Sequence, residues 1–176
     1  MAIPFEIRRI KNPDKSYSLI AVISVTDAVA ENNTRESLAK LQKKYQELIK
    51  DCNKQIKLIK KNRKNQSNPI LHWEFGNLLF NYLQYVEQLG FYFANFAPTL
   101  TRDSGFSKRY LNYHLSFRKE FEKNDIAHKL KFWAYQELLD ISNRLKRKKC
   151  EDKLKNGEIE TRTELRKYKK NFKMRA

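Results

Sequence analysis

Glycine is scarce in this chain: four residues, Gly76, Gly90, Gly105 and Gly157, among 176. Scattered as they are, they cannot build a loop that cradles phosphates. Cysteine is scarcer still. Cys52 and Cys150 have no metal-ligand spacing and lie too far apart to suggest a disulfide scaffold. No unbroken 18-residue apolar run occurs, because Asn81, Gln84, Glu87, Gln88 and Asn95 interrupt the most apolar stretch, 78–100. With no hydrophobic leader after Met1, the expected setting is the reducing cytoplasm, with nucleoid association compatible and no membrane partner.

Recognisable chemistry is equally thin. His72, His114 and His128 have neither carboxylate nor cysteine at ligand spacing, so no metal or other cofactor is expected. Asp103, Ser104 and His114 are neighbours in the chain, which does not supply triad geometry. Acidic residues are also few. The chain holds 37 Lys and Arg against 20 Asp and Glu, a net charge of +17. Such an excess points to a polyanionic partner and says nothing about fold. Its placement is uneven: residues 54–67 carry 6 basic groups and no acidic one, and residues 142–176 carry 14 against 5.

What is present is a folded core with basic edges, 40% hydrophobic and 12% aromatic. The pattern predicts a mainly α protein, with a β-hairpin and a long amphipathic helix ahead of a compact, helix-turn-helix-like helical domain. "FEIRRI" and "SYSLIAVISV" read as strands around the turn "NPDK", the second run apolar enough for burial on both faces. A lone hairpin is marginal in water, so it must pack on helices or pair with another chain. Asn33 and Glu36 fit a capping box, after which Leu38, Leu41, Tyr45, Leu48, Cys52, Ile56 and Ile59 form a heptad-like seam running to about Arg63. That seam serves either the chain's own core or a helix contact in an oligomer. Residues 60–69 read as a linker, dividing an extension, 1–66, from a domain, 67–176.

Beyond the linker, Asn68 and Pro69 start a helix that ends near Gly90. "FYFANFAPTL" continues the apolar character, with Pro98 expected to shorten or kink a helix, and "TRDSGF" reads as a turn. Three further helices follow. One has Trp133, Leu138 and Leu139 inward, one runs from a Ser142 cap to a Gly157 stop, and one opens with a capping box from Thr161 to Glu164.

The helix of about 107–123 decides the functional reading. Ser107 is its expected cap, with Phe106 and Leu111 as a hydrophobic staple. At 100° per residue, Tyr110, Leu111, His114, Leu115, Phe117 and Phe121 gather on one side. Lys108, Arg109, Asn112, Ser116, Lys119 and Lys123 lie opposite, flanked by Tyr113 and Glu120. Arg118 falls toward the apolar arc and must snorkel or pair. The polar side is either an ordinary solvated face or a recognition face, where Arg can reach guanine and Asn adenine. The helix is preceded by more turn residues than a simple helix-turn-helix has. Phosphate contacts are assigned further to Arg144, Lys146, Arg147, Lys148, Lys149, Arg166, Lys167, Lys169 and Lys170.

Four blocks, "HWEFGNLLFNYLQ", "FAPTLTRDSGFSKRYLNYHLSFRKEF", "KFWAYQELLDI" and "RTELRKYK", together resemble the N-terminal domain of YhcG-type proteins over roughly 70–169. Trp73 and Gly76 match the family's W-x-I-G. Gly105, Phe106, Ser107 and Leu111 match G-F-S-x-x-N-L, with Tyr110 where Asn is usual. Trp133, Leu138 and Leu139 match W-S-H-x-x-x-L-L, with Ala134 and Tyr135 replacing Ser-His. Arg162 and Leu165 fit R-x-L-x-R approximately. The resemblance implies a helical, DNA-binding domain of the kind that precedes a PD-(D/E)XK nuclease, and adds Arg162 to the phosphate contacts. No complete nuclease motif is present: Pro13-Asp14 is the only Pro-Asp, and no convincing E-x-K strand follows. The expectation is a non-catalytic DNA-binding module acting within a nuclease, mobile-element or regulatory assembly. RNA is a possible ligand as well. The alternative is a scaffold subunit of a ribonucleoprotein or multi-protein complex, docking a partner or itself through 1–66.

Overall fold

The structure is a computed structural model describing residues 3–13, 16–23 and 32–173, with side chains from 34 to 171 in the last segment. Among the described residues the chain is mainly α with one small sheet. The elements are β1 (Ile3–Lys11), β2 (Tyr17–Ile23), α1 (Asn32–Lys60), α2 (Arg63–Ser67), α3 (Pro69–Gln88), β3 (Phe91–Phe93), α4 (Phe96–Ser104), α5 (Lys108–Glu120), α6 (Phe132–Leu139), α7 (Arg144–Lys155) and α8 (Arg162–Lys173). Asp14, Val25 and the side chain of Asn33 lie outside the described residues, and with them the Pro-Asp pair, the end of the predicted second strand and the first capping box.

Two compact units emerge, grouped differently from a division at 66/67: Met1–Lys54 with Leu78–Asn112, and Gln55–Asn77 with Tyr113–Ala176. Each of α1, α3 and α5 gives residues to both.

The first unit holds the sheet, in the order β2-β1-β3. β1 and β2 pair antiparallel from Phe5↔Ile23 to Lys11↔Tyr17. Phe5 and Ile7 point inward while Arg8 faces water, the period-two alternation of a strand covered on one side. For β2, burial on both faces is corrected: Ala21 is buried and Leu19, Ile20, Val22 and Ile23 are only half-buried. The hairpin's support comes from a helix and a third strand. Ala21 N–H donates to Gln42 Oε1 at 3.3 Å, and β3 pairs parallel to β1 from Ile3↔Phe91 to Phe5↔Phe93. Phe93 packs on Phe5 and Tyr45, with ring centroids 4.6 and 5.7 Å apart. Tyr45 Oη donates to Asp103 Oδ2 at 3.0 Å.

The α1 seam is internal. Leu41, Tyr45, Leu48, Cys52, Ile56 and Ile59 are all buried in the single chain, so the oligomer role is not needed to explain the heptad spacing. The predicted linker is also corrected. Asn62 caps α2 by accepting Asn65 N–H at 2.8 Å, and Asn68 Oδ1 accepts Ile70 N–H at 3.0 Å, with Pro69 opening α3. "TRDSGF" is not wholly a turn. Pro98 lies in the first turn of α4, where its missing donor costs nothing, so that helix continues to Ser104. Gly105, at φ 76°, ends it in the left-handed region that favours glycine. Three residues, Gly105–Ser107, then separate α4 from α5.

The second unit is built on an aromatic core of Trp73, Phe117, Phe121, Phe132 and Tyr135, closed by Leu138, Cys150, Leu154 and Leu165. Trp73 Nε1–H donates to the carbonyl of Phe121 at 2.8 Å. In α6 the inward residues are Phe132, Ala134, Tyr135, Glu137 and Leu138, whereas Trp133 and Leu139 are half-buried. The cap of α7 is Asn143, accepting Lys146 N–H at 3.0 Å, rather than Ser142. The α8 capping box is present: Glu164 N–H donates to Thr161 Oγ1 at 3.2 Å and Thr161 N–H to Glu164 Oε2 at 3.1 Å.

Candidate nucleic-acid interface

Of the net charge of +17, the second unit holds +13, from 24 basic and 11 acidic residues, against +4 in the first, from 13 and 9. The excess positive charge therefore lies mainly in one unit. Which of the predicted cations face water unopposed is a separate matter for each unit, Lys108 and Arg109 (with Asn112) belonging to the first and the remaining predicted cations to the second.

On α5 the periodicity holds. Leu111, His114, Phe117 and, just past the helix, Phe121 are buried; Tyr110 and Leu115 are half-buried. Ser107, Lys108, Arg109, Asn112, Ser116, Lys119 and Lys123 are exposed. Ser107 caps the helix by accepting Tyr110 N–H at 3.2 Å. Tyr113 is half-buried and donates to Asp140 Oδ1 at 3.0 Å. Arg118 pairs as its position requires: Nε–H donates to Asn77 Oδ1 at 2.8 Å and the guanidinium lies 4.7 Å from the Trp73 ring centroid. Lys123 Nζ pairs with Glu74 at 3.0 Å.

The C-terminal cations divide. Arg147 donates to the Ile141 carbonyl at 3.0 Å and pairs with Glu120. Arg162, Arg166 and Lys169 converge on a single carboxylate, Glu137, at 2.7, 2.8 and 2.9 Å. Arg147, Arg162, Arg166 and Lys169 therefore first hold the unit together. Arg144, Lys148, Lys149, Lys167 and Lys170 are exposed, and like Lys108 and Lys119 they meet no carboxylate within 4.0 Å among the described residues. Lys146 is half-buried.

Glu137 escaped sequence reasoning. Its side chain is only 3% exposed. Burial by itself would raise its pKa, but hydrogen bonds from Arg166, Lys169 and Arg162 outweigh that and hold it down at about 2. The available signal was a lone carboxylate on the inward face of an apolar helix.

His72 and His114 form the other unforeseen feature of this unit. His72 Nε2 lies 2.9 Å from the carbonyl of Gln66, which can only accept, so that nitrogen carries the proton. Its Nδ1 then accepts from His114 Nε2–H at 2.8 Å. His72 also stacks on Phe132, with ring centroids 3.6 Å apart. Burial pushes its pKa down from 6.5 to about 4. An imidazole with a lowered folded pKa stabilises fully above 6.5 and loses that contribution as pH falls toward 4, because the unfolded chain takes up the proton first. Urea unfolding is expected to lose on the order of 3 kcal/mol across that window, and His72→Asn is expected to flatten it.

Among the described residues there is no cluster of three His, Cys, Asp or Glu that could hold a metal ion, and no helix is long and apolar enough to cross a membrane. Comparison with protein-family models, curated proteins and solved structures gives no match. The residues themselves define a mainly α protein with one strongly basic unit.

Proposed function

We propose that the chain is a non-catalytic DNA-binding module that works within a larger nuclease, mobile-element or regulatory assembly. The observation that carries this reading is the concentration of charge: +13 in a unit of 87 residues, with Lys119, Arg144, Lys148, Lys149, Lys167 and Lys170 exposed and without a carboxylate partner among the described residues. Each phosphate neutralised releases condensed counterions, so this cation set favours a polyanion most at low salt. The exposed polar side of α5 supplies the base-reading part of the proposal. Arg109 and Asn112, which belong to the first unit, sit near its N-terminal end, after a three-residue turn of the length a helix-turn-helix uses. The resemblance of the four sequence blocks to YhcG-type N-terminal domains is in keeping with this reading.

Gel shifts with duplex DNA, single-stranded DNA and RNA are expected to rank duplex first. Arg109→Glu and Lys119→Glu are each expected to weaken duplex binding about tenfold or more, and Lys119→Glu to do so with unchanged thermal unfolding. Equal binding of both variants and wild type would remove α5 from the interface.

A partner-docking role has one observation in its favour. The outward face of the sheet presents Ile10 and Tyr92, 46% and 62% exposed. Ile10→Glu with Tyr92→Glu tests it: a partner complex held by that face should dissociate in size-exclusion chromatography while duplex binding persists.

A further inference from the structure

A further uncompensated cluster of charge lies outside the residues assigned to the interface so far. Lys57, Lys60, Lys61, Arg63 and Lys64 fall within eight residues at the end of α1 and the start of α2, all in the second unit and all exposed. None of their side chains has a hydrogen-bond or ion-pair partner among the described residues. This contrasts with the C-terminal helices, where four of the nominated cations are tied to Glu120 or Glu137.

The turn is nonetheless built to hold its shape, and uncharged groups do the holding. Asn65 Nδ2–H donates to the Leu58 carbonyl at 2.9 Å, and Lys61 N–H donates to that same carbonyl at 3.2 Å. Gln66 N–H reaches the Asn62 carbonyl at 3.0 Å, and Ser67 Oγ–H donates to the Lys64 carbonyl at 3.0 Å. The Gln66 carbonyl is in turn anchored by buried His72. Five like charges in so short a span repel one another, and the asparagine and serine bonds hold the backbone that carries them. A turn whose backbone is already bonded loses little backbone entropy on meeting an anionic polymer, while its cationic side chains stay free to adjust to it.

We propose that the Lys57–Lys64 turn is a second contact for the phosphate backbone of duplex DNA, one that positions the duplex without reading its bases. The proposal rests on the DNA-binding reading above and adds a site to it. Long flexible cations closely spaced along a helix end and turn suit repeated phosphates, and the stretch from 54 to 67 has no acidic residue of its own.

The test compares wild type with Lys60→Gln, Lys61→Gln, Arg63→Gln, Lys64→Gln combined, measuring duplex affinity from 50 to 300 mM salt by fluorescence anisotropy. Each lost phosphate contact removes ~0.9 from the slope of log affinity against log salt, so the fourfold variant should flatten it by about 2 to 4. Circular dichroism melting checks that the variant folds. A second readout needs no variant: amine acetylation of Lys57, Lys60, Lys61 and Lys64 in wild type should slow about fivefold or more when duplex is added. An unchanged slope, or unprotected lysines in a protein that still binds duplex, overturns this proposal and leaves the α5 reading standing. Failure of wild type to bind duplex at any salt overturns both. Protection by phosphatidylserine vesicles but not by duplex overturns the choice of partner.

Discussion

Gly76→Ala is expected to destabilise the protein by about 3 kcal/mol or more, against the usual gain of about 1 kcal/mol for this exchange inside a helix. Gly76 is buried within α3. A Cβ there would stand 2.2 Å from the His114 carbonyl oxygen, 2.9 Å from its carbon and 3.2 Å from Arg118 Cβ. Two of those three atoms are backbone of α5, which no side-chain rotation can clear. Separation of α3 from α5 within this unit would disturb the His72–His114 bond and the Trp73 bond to Phe121 together. Equilibrium urea unfolding followed by tryptophan fluorescence reads the effect directly. A gain in stability would mean that the two helices do not approach this closely.

Glu137→Ala is expected to cost about 3 kcal/mol, since it leaves Arg162, Arg166 and Lys169 facing one another around an empty centre. Those cations are 46%, 58% and 19% exposed, so water screens part of the repulsion and the loss stays at the low end for a broken buried pair. The pH dependence carries a sharper signature. A carboxylate held at about 2 contributes fully above 4.5 and loses that contribution as pH falls through its folded value. The His72 contribution is spent earlier, between 6.5 and about 4. Stability should therefore fall with pH in two windows, and Glu137→Gln should shrink the lower loss while leaving the upper one. A Gln variant with an unaltered profile below pH 4.5 would show that the three cations are not organised by this carboxylate.

Local chemistry was legible where it was local. The Thr161–Glu164 capping box, the Asn68–Pro69 start, the two faces of α5 and the need for Arg118 to pair all depend on residues within a turn or two of each other, and the structure has them. Misreadings arose where the partner is distant in sequence, or where neighbouring polar residues offer equivalent local choices. β3 is three residues long and exists because β1, some 88 positions earlier, offers an edge; no periodicity announces so short a strand. Asn143 caps α7 in place of Ser142 because either side chain suits the position and only the helix start selects between them. The basic stretch 60–69 has the composition of a linker, but Asn62, Asn65 and Asn68 bond it into an ordered turn. Glu137 and the histidine pair could not be found by spacing, since their partners lie 25 to 42 residues away. Gly76 was visible as one position of a motif, and its cause, a carbonyl of α5, was not.

The central claim is that the second unit's unopposed cations meet duplex phosphates, and the salt dependence of duplex affinity tests it most directly. With at least four phosphates engaged, association should weaken about a hundredfold from 50 to 200 mM salt, and duplex should be preferred to single strands throughout. An affinity that does not change with salt, or no measurable duplex binding at 50 mM, would contradict it.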